Sequence, residues 1–220
     1  MAVASTKAPL EIWEATLAEV PSLSTIVPRA FHPVNPYIRK CHPDTPAVRQ
    51  WWSKIFADEI TSPDCHVLIA YDSTADPATQ VAGILCLRLM QADDLSGGFW
   101  SLHPFTQDQD AVLFQGAMDA MLEGRKKAFT SPSEYAGKKN YLVELFGVDE
   151  KYKGQGLARK LLQAAGDIAD DAGLVTFVEA NASAAPVYAK LGYMEQGTVE
   201  MPGPNGVYVE HLMIRPVAKQ

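Results

Sequence analysis

The sequence predicts a mixed α/β protein, a largely antiparallel central sheet flanked by helices on both faces. Three observations carry that expectation. Short apolar runs of strand character alternate with helical patterns along the whole chain. Two pairs of neighbouring runs, 65–72 with 80–90 and 193–201 with 206–214, are joined by turn-rich segments of the kind that link antiparallel strands. The length of 220 residues favours one domain over 1–220.

Bulk composition narrows the class. Hydrophobic residues at 47% against charged residues at 20% fit a folded chain rather than a disordered one. No apolar run reaches the roughly 18 residues that a membrane helix needs. The opening "MAVASTKAPLEIWEA" lacks the apolar core of a secretory signal. Cys41, Cys65 and Cys86 are odd in number and far apart, which suits reduced thiols and a cytoplasmic protein. They share no metal-ligand spacing with the five histidines, so no metal is expected. A net charge of -7 argues against nucleic acid as a partner and is compatible with a cationic or amine substrate.

The elements follow in order. Residues 10–16 alternate as a first strand. Pro21, Pro28, Pro33, Pro36 and Pro43 leave room for one short helix at most before irregular chain. Residues 44–60 read as a helix capped by Asp44 or Thr45, with Pro46 in its first turn and Val48, Trp52, Ile55 and Phe56 on one face. Trp51 and Trp52 are adjacent, so helical geometry predicts that they do not both face the core. After the strand pair at 65–72 and 80–90, the segment at about 91–139 reads as an extra loop and helix, with basic residues at the helix C-terminus.

The strand at 140–148 runs into "VDEKYKGQGLARKLL", a helix ending near Gly173 with Asp170 and Asp171 at the end its dipole disfavours. A strand at 174–180, a short helix closed by Gly192 and the last strand pair complete the chain.

The glycine-rich loop is the main chemical signal. A helix N-terminus offers unpaired N–H groups and partial positive charge, and glycines let backbone approach a bulky anion. The amides from Lys153 to Ala158 are expected to face one concavity, with Lys151, Lys153, Arg159 and Lys160 adding charge. The Walker pattern is absent. The dinucleotide fingerprint fails because Arg159 stands at its third glycine and the loop lies late in the chain.

Together with "NASAAPVYAKLGY" at 181–193, this stretch resembles the GNAT superfamily of acyl-CoA-dependent N-acetyltransferases. The family loop [QR]-x-x-G-x-[GA] is matched by Lys153, Gly154, Gln155, Gly156, Leu157 and Ala158 except at its first position, where Lys153 replaces Gln or Arg. Val148, Leu161 and Leu162 fall at the family distances, as do Asn181, Ala184, Val187, Tyr188, Gly192 and Tyr193. The two motifs lie in the last third of the chain. The segment before 140 resembles small-molecule members from filamentous fungi.

The resemblance implies a GNAT fold and acetyl-CoA as co-substrate. It implies acetyl transfer to a primary amine, a small molecule in the preferred reading, by direct attack through a tetrahedral intermediate. A protein or peptide acceptor, or a non-catalytic CoA-binding scaffold, remains open, as does a monomer against a homodimer. Tyr188 is implied as the acid that protonates the leaving thiolate. Glu144 is the candidate base, on a strand face that period 2 would have it share with Leu142 and Phe146. Backbone N–H groups at Phe146, Gly147 and Val148 would hold the pantetheine. Asn181 would contact the cofactor, or else would serve its own turn. Arg159 would meet the nucleotide phosphates.

Overall fold

The structure is a computed structural model that describes residues 10–91, 94, 98–130 and 132–218. Its strands are β1 (Glu11–Glu14), β2 (Cys65–Tyr71), β3 (Val81–Met90), β4 (Asn140–Val148), β5 (Val175–Asn181), β6 (Met194–Gly203) and β7 (Gly206–Arg215). They form one sheet in the order β1-β2-β3-β4-β5-β7-β6. Every neighbouring pair is antiparallel except β4 with β5.

Helices cover both faces. On one face α1 (Val20–Leu23), α2 (Ile26–Ala30), α3 (Pro36–Cys41), α4 (Pro46–Thr61) and α5 (Ala111–Phe129) bury Val67, Ile69, Ile84, Cys86 and Leu145. On the other, α6 (Leu157–Asp171) and α7 (Ala185–Ala189) bury Leu68, Leu85, Leu87, Val143, Val178 and Met213. The alternation along β3 divides its side chains between the two layers, as a strand's period of 2 requires. No helix among the described residues is long and apolar enough to cross a membrane.

Two irregularities in the sheet create the site. The parallel ladder joins β4 to β5 only from Asn140 to Leu142, opposite Val175 to Phe177. Beyond that point the edges of both strands are released from each other. The second irregularity is a β-bulge in β4. Cys86 lies opposite Leu145 and Leu87 opposite Val143, so Glu144 is the extra residue without a cross-strand partner.

The bulge overturns the expected strand face. Glu144 ion-pairs with Arg88, whereas Phe146 packs in the layer of Leu85 and Val143 against Tyr188. An extra residue advances the pleat by one, so Glu144 and Phe146 do not share a face.

The proline-rich stretch also departs from expectation. It holds three short helices, not one, because Pro21, Pro28 and Pro36 sit in first turns. A first-turn N–H has no intrahelical acceptor, so a proline there forfeits nothing.

Trp51 and Trp52 are both buried, at 3% and 1% exposure. Trp52 faces the sheet layer. Trp51 is covered from the other side by His42 and Phe105, and its indole N–H donates to the carbonyl of His103 at 3.3 Å. The loop before α5 thus turns a second face of α4 into core. At the end of α6, Asp170 is held by both terminal nitrogens of Arg215 from β7, at 3.0 and 2.5 Å. That pairing holds the Asp170 carboxyl below its usual range and offsets the dipole penalty.

Candidate active site

Where β4 and β5 part, a cavity of about 1170 Å³ opens through the sheet. Its walls include β4 from Val143 to Val148 and β5 from Val178 to Asn181. Backbone groups on these edges that would have continued the ladder face the cavity instead. An extended ligand that carries amide groups can lie along such an edge as a substitute strand.

One end of the cavity is built by the glycine loop. Gly154 and Gly156 adopt φ of 79° and 76°, a left-handed conformation that suits glycine. Gly156 is the N-cap of α6. A Cβ placed on either glycine would meet nothing within 4 Å, so the backbone there faces open space. The expectation that all amides from Lys153 to Ala158 converge needs correction. Lys153 N–H donates to Glu150 O at 3.2 Å and Gln155 N–H to Tyr152 O at 3.3 Å, closing a tight turn. The first-turn amides of Leu157 and Ala158, with that of Gly156, stand at the open helix end.

Phe146, Gly147, Val148, Lys153, Gly154, Gly156, Leu157, Ala158, Arg159, Asn181 and Tyr188 all line the cavity, while Gln155 does not. Its side chain is exposed. Lys153 is exposed and reaches Glu150 at 3.3 Å. Gly147 is required for packing: a Cβ there would lie 2.6 Å from the ring of Phe31, the C-cap of α2.

Tyr188, on α7, is 3% exposed and holds edge-on ring contacts with Phe146 at 5.8 Å and Tyr193 at 5.1 Å. Burial pushes its phenol well above the ordinary value, so the hydroxyl is protonated at neutral pH. Asn181 is committed locally. Its Oδ1 accepts from Ser183 N–H at 3.0 Å, Ser183 Oγ at 2.6 Å and Ala184 N–H at 3.0 Å. The turn that starts α7 therefore uses the asparagine oxygen, the alternative role its sequence position allowed.

The other end of the cavity carries carboxylates and rings. Glu144, Glu179 and Glu210 line it beside Arg125, Trp100 and Phe114. Glu144 Oε2 lies 3.1 Å from Arg88 Nε, and the Glu144 side chain is 7% exposed. Burial raises its carboxyl above the usual range, opposed by Arg88. Gly98, at φ 62°, closes over this pair so tightly that a Cβ there would collide with Glu144 Oε1. Glu179 is clamped by Arg125 of α5, through Nε at 2.5 Å and Nη2 at 3.3 Å. Behind Glu144, fully buried Glu59 accepts from Cys86 Sγ at 3.0 Å, and burial together with the Glu144 charge pushes it up to about 8.

Sequence reasoning missed Arg125, Glu179 and Glu210, although each left a signal. Arg125 continues the stripe Phe114, Met118, Met121 on α5, an apolar face where a solvated cation does not belong. Glu179 follows Phe177, and Glu210 precedes Leu212, in the inward parity of their strands.

Comparison with known proteins agrees with this geometry. Residues 127–203 match the family model described as an acetyltransferase (GNAT) domain. No curated protein sequence matches significantly. Among solved structures, the chain resembles mosquito arylalkylamine N-acetyltransferase like 5b, with TM-score 0.68 and 17% identity over 94% of this chain and 99% of that one. It also resembles the Drosophila melanogaster polyamine N-acetyltransferase, with TM-score 0.66 and 13% identity over 94% and 99% of the two chains. The ribosomal-protein-S18-alanine N-acetyltransferase of Escherichia coli matches with TM-score 0.57 and 15% identity over 96% of each chain. Identities this low establish the fold. The chain thus shares the fold of solved acetyltransferases, and its residues 127–203 match the acetyltransferase (GNAT) domain.

Proposed function

We propose that the protein is an N-acetyltransferase that moves an acetyl group from acetyl-CoA to a small primary amine. The observation that carries this reading is the continuity of the cavity. It joins a helix N-terminus with open amides at one end to buried carboxylates and aromatic rings at the other, through the gap between β4 and β5.

The residues present fit acetyl-CoA. The open amides at Gly156, Leu157 and Ala158, with Lys153 and Arg159 nearby, suit a pyrophosphate. The released edge at Phe146, Gly147 and Val148 suits the amides of a pantetheine arm. The bound co-substrate supplies an acetyl group activated as a thioester. Tyr188, protonated and lining the same cavity, suits donation of a proton to the leaving thiolate. A carboxylate on the opposite face of the sheet suits removal of a proton from the acceptor, since an alkyl ammonium has a pKa near 10 and cannot attack until it loses one.

The acceptor end suits a cation with an apolar body. Trp100, Phe114, Met118 and Met121 supply apolar surface beside the carboxylates. Arylalkylamine and polyamine enzymes among the structural relatives share the fold and carry substrate names of this class.

Two measurements test the proposal. Acetyl-CoA at a hundredfold excess over its Kd is expected to stabilise the protein by about 2.7 kcal/mol, read as a rise in Tm. Free-thiol release is then expected with 2-phenylethylamine or agmatine in preference to acceptor peptides. A flat Tm at saturating acetyl-CoA refutes the co-substrate, and turnover confined to peptides refutes the small-molecule acceptor.

A further inference from the structure

The three carboxylates at the acceptor end are not equivalent. Glu144 faces Arg88 at 3.1 Å beneath Gly98. Glu179 is held by two nitrogens of Arg125. Glu210 lines the same cavity with no ion pair to a cation among the described residues, and its Oε2 is buried without a hydrogen-bond partner. A buried polar atom left unmatched inside a large cavity points to a ligand that completes it.

Its position is built from three elements. Glu210 lies on β7 opposite Asn181 of β5 and Val199 of β6. Tyr208, two residues earlier on the same face, stacks on Tyr37 of α3 at 5.3 Å. This places Glu210 on the α3–α5 face, while Tyr188 belongs to the α6–α7 layer. The gap between β4 and β5 separates the two.

We propose that Glu210 binds the acceptor ammonium and takes its proton, acting as the catalytic base of the reaction; the inference rests on the acetyltransferase reading above. Glu210 as carboxylate accepts one proton from R–NH3+ and becomes the neutral acid, leaving R–NH2 with a free electron pair. That pair forms the C–N bond to the acetyl carbon as the C–S bond breaks. Tyr188 gives its hydroxyl proton to the departing thiolate and regains one from the nitrogen, which sheds it on becoming an amide. Glu210 returns its proton to water. The sum is an amide, a thiol and one released proton.

The choice of Glu210 over Glu144 follows from pairing. An arginine partner stabilises a carboxylate and weakens it as a base, and proton uptake by Glu144 would give up its 3.1 Å ion pair with Arg88. Glu210 has the opposite surroundings. Burial, with the Glu179 charge beside it, raises its carboxyl to about 8, and the Tyr208 hydroxyl opposes that rise. The charged and titratable groups facing the region are Glu179 on β5, Glu144 on β4, Arg125 on α5, Tyr208 on β7, Tyr37 on α3 and Tyr188 on α7. Arg125 is committed to Glu179. A base of pKa near 8 is partly ionised at physiological pH and retains the driving force to accept a proton.

The test uses the full chain. For the wild type, kcat/KM with 2-phenylethylamine is expected to rise with pH through about 8. Glu210→Gln is expected to lower kcat/KM by about 100-fold or more and to abolish that limb, with the Tm rise from acetyl-CoA intact. Binding of 2-phenylethylamine without acetyl-CoA, followed by calorimetry from pH 6 to 9, is expected to tighten through the same pH in the wild type. Calorimetry on the wild type decides the matter even if the variant fails to fold. Amine binding independent of pH, or a limb that survives in Glu210→Gln and disappears in Glu144→Gln, overturns the inference and leaves the acetyltransferase reading standing. Absence of wild-type turnover with every amine overturns both.

Discussion

At the scale of single residues, the decisive property is what each buried polar group has across from it. Tyr188 and Glu144 are both deeply buried, yet their surroundings differ. Tyr188 is surrounded by the rings of Phe146 and Tyr193, so burial keeps its hydroxyl protonated. Glu144 is beside Arg88, which opposes the effect of burial. Replacing Tyr188 with Phe preserves the ring contacts and removes only the hydroxyl. Turnover is therefore expected to fall by about 100-fold while the acetyl-CoA-induced Tm rise is unchanged. Full activity of Tyr188→Phe would remove the hydroxyl from the acid role. Asn181 illustrates the opposite case, since three hydrogen bonds to its oxygen tie it to the turn before α7.

At the scale of elements, the loop from β4 into α6 joins a conformational demand to a chemical one. Gly156 serves as N-cap at φ 76°, and the space above it is open. Gly156→Ala meets no steric neighbour there, so its cost is backbone strain of about 1–2 kcal/mol. Acetyl-CoA affinity is expected to weaken at least tenfold as the first-turn amides shift, measured by calorimetry. Unaltered affinity with normal folding would show that the amides do not hold the co-substrate. The helix α5 has a comparable double role. Its apolar stripe packs on β6 and β7, and Arg125 within that stripe clamps Glu179 at the cavity wall. A segment that reads as an addition in the sequence is thus part of the site's enclosure.

For the whole molecule, a carboxyl buried between α4 and the sheet links stability to pH. Glu59 has its folded pKa raised from 4.5 to about 8. The folded state therefore binds more protons than the unfolded state between those values. Its contribution to stability is complete below about 4.5 and is lost as pH rises through about 8. Tm of the wild type is expected to fall across that window more steeply than Tm of Glu59→Gln, in scanning calorimetry at matched ionic strength. Parallel slopes would show that Glu59 ionises without cost. What the sequence by itself determined is local: the strand order, the helices outside the proline-rich stretch, the glycine loop, the cap of α4 and the spacing of Tyr188 from the loop. These follow from periods of 2.0 and 3.6 residues and from glycine's access to positive φ, which short stretches encode. Tertiary structure alone decided the parting of β4 from β5, the bulge that turns Glu144 away from Phe146, and the burial of both Trp51 and Trp52. It also decided which carboxylate has a cation opposite it. Arg88 and Glu144, Arg125 and Glu179, and Glu210, which has no cation opposite it among the described residues, come from separate strands and helices. Their ionisation depends on distances across the sheet, a quantity no local spacing contains.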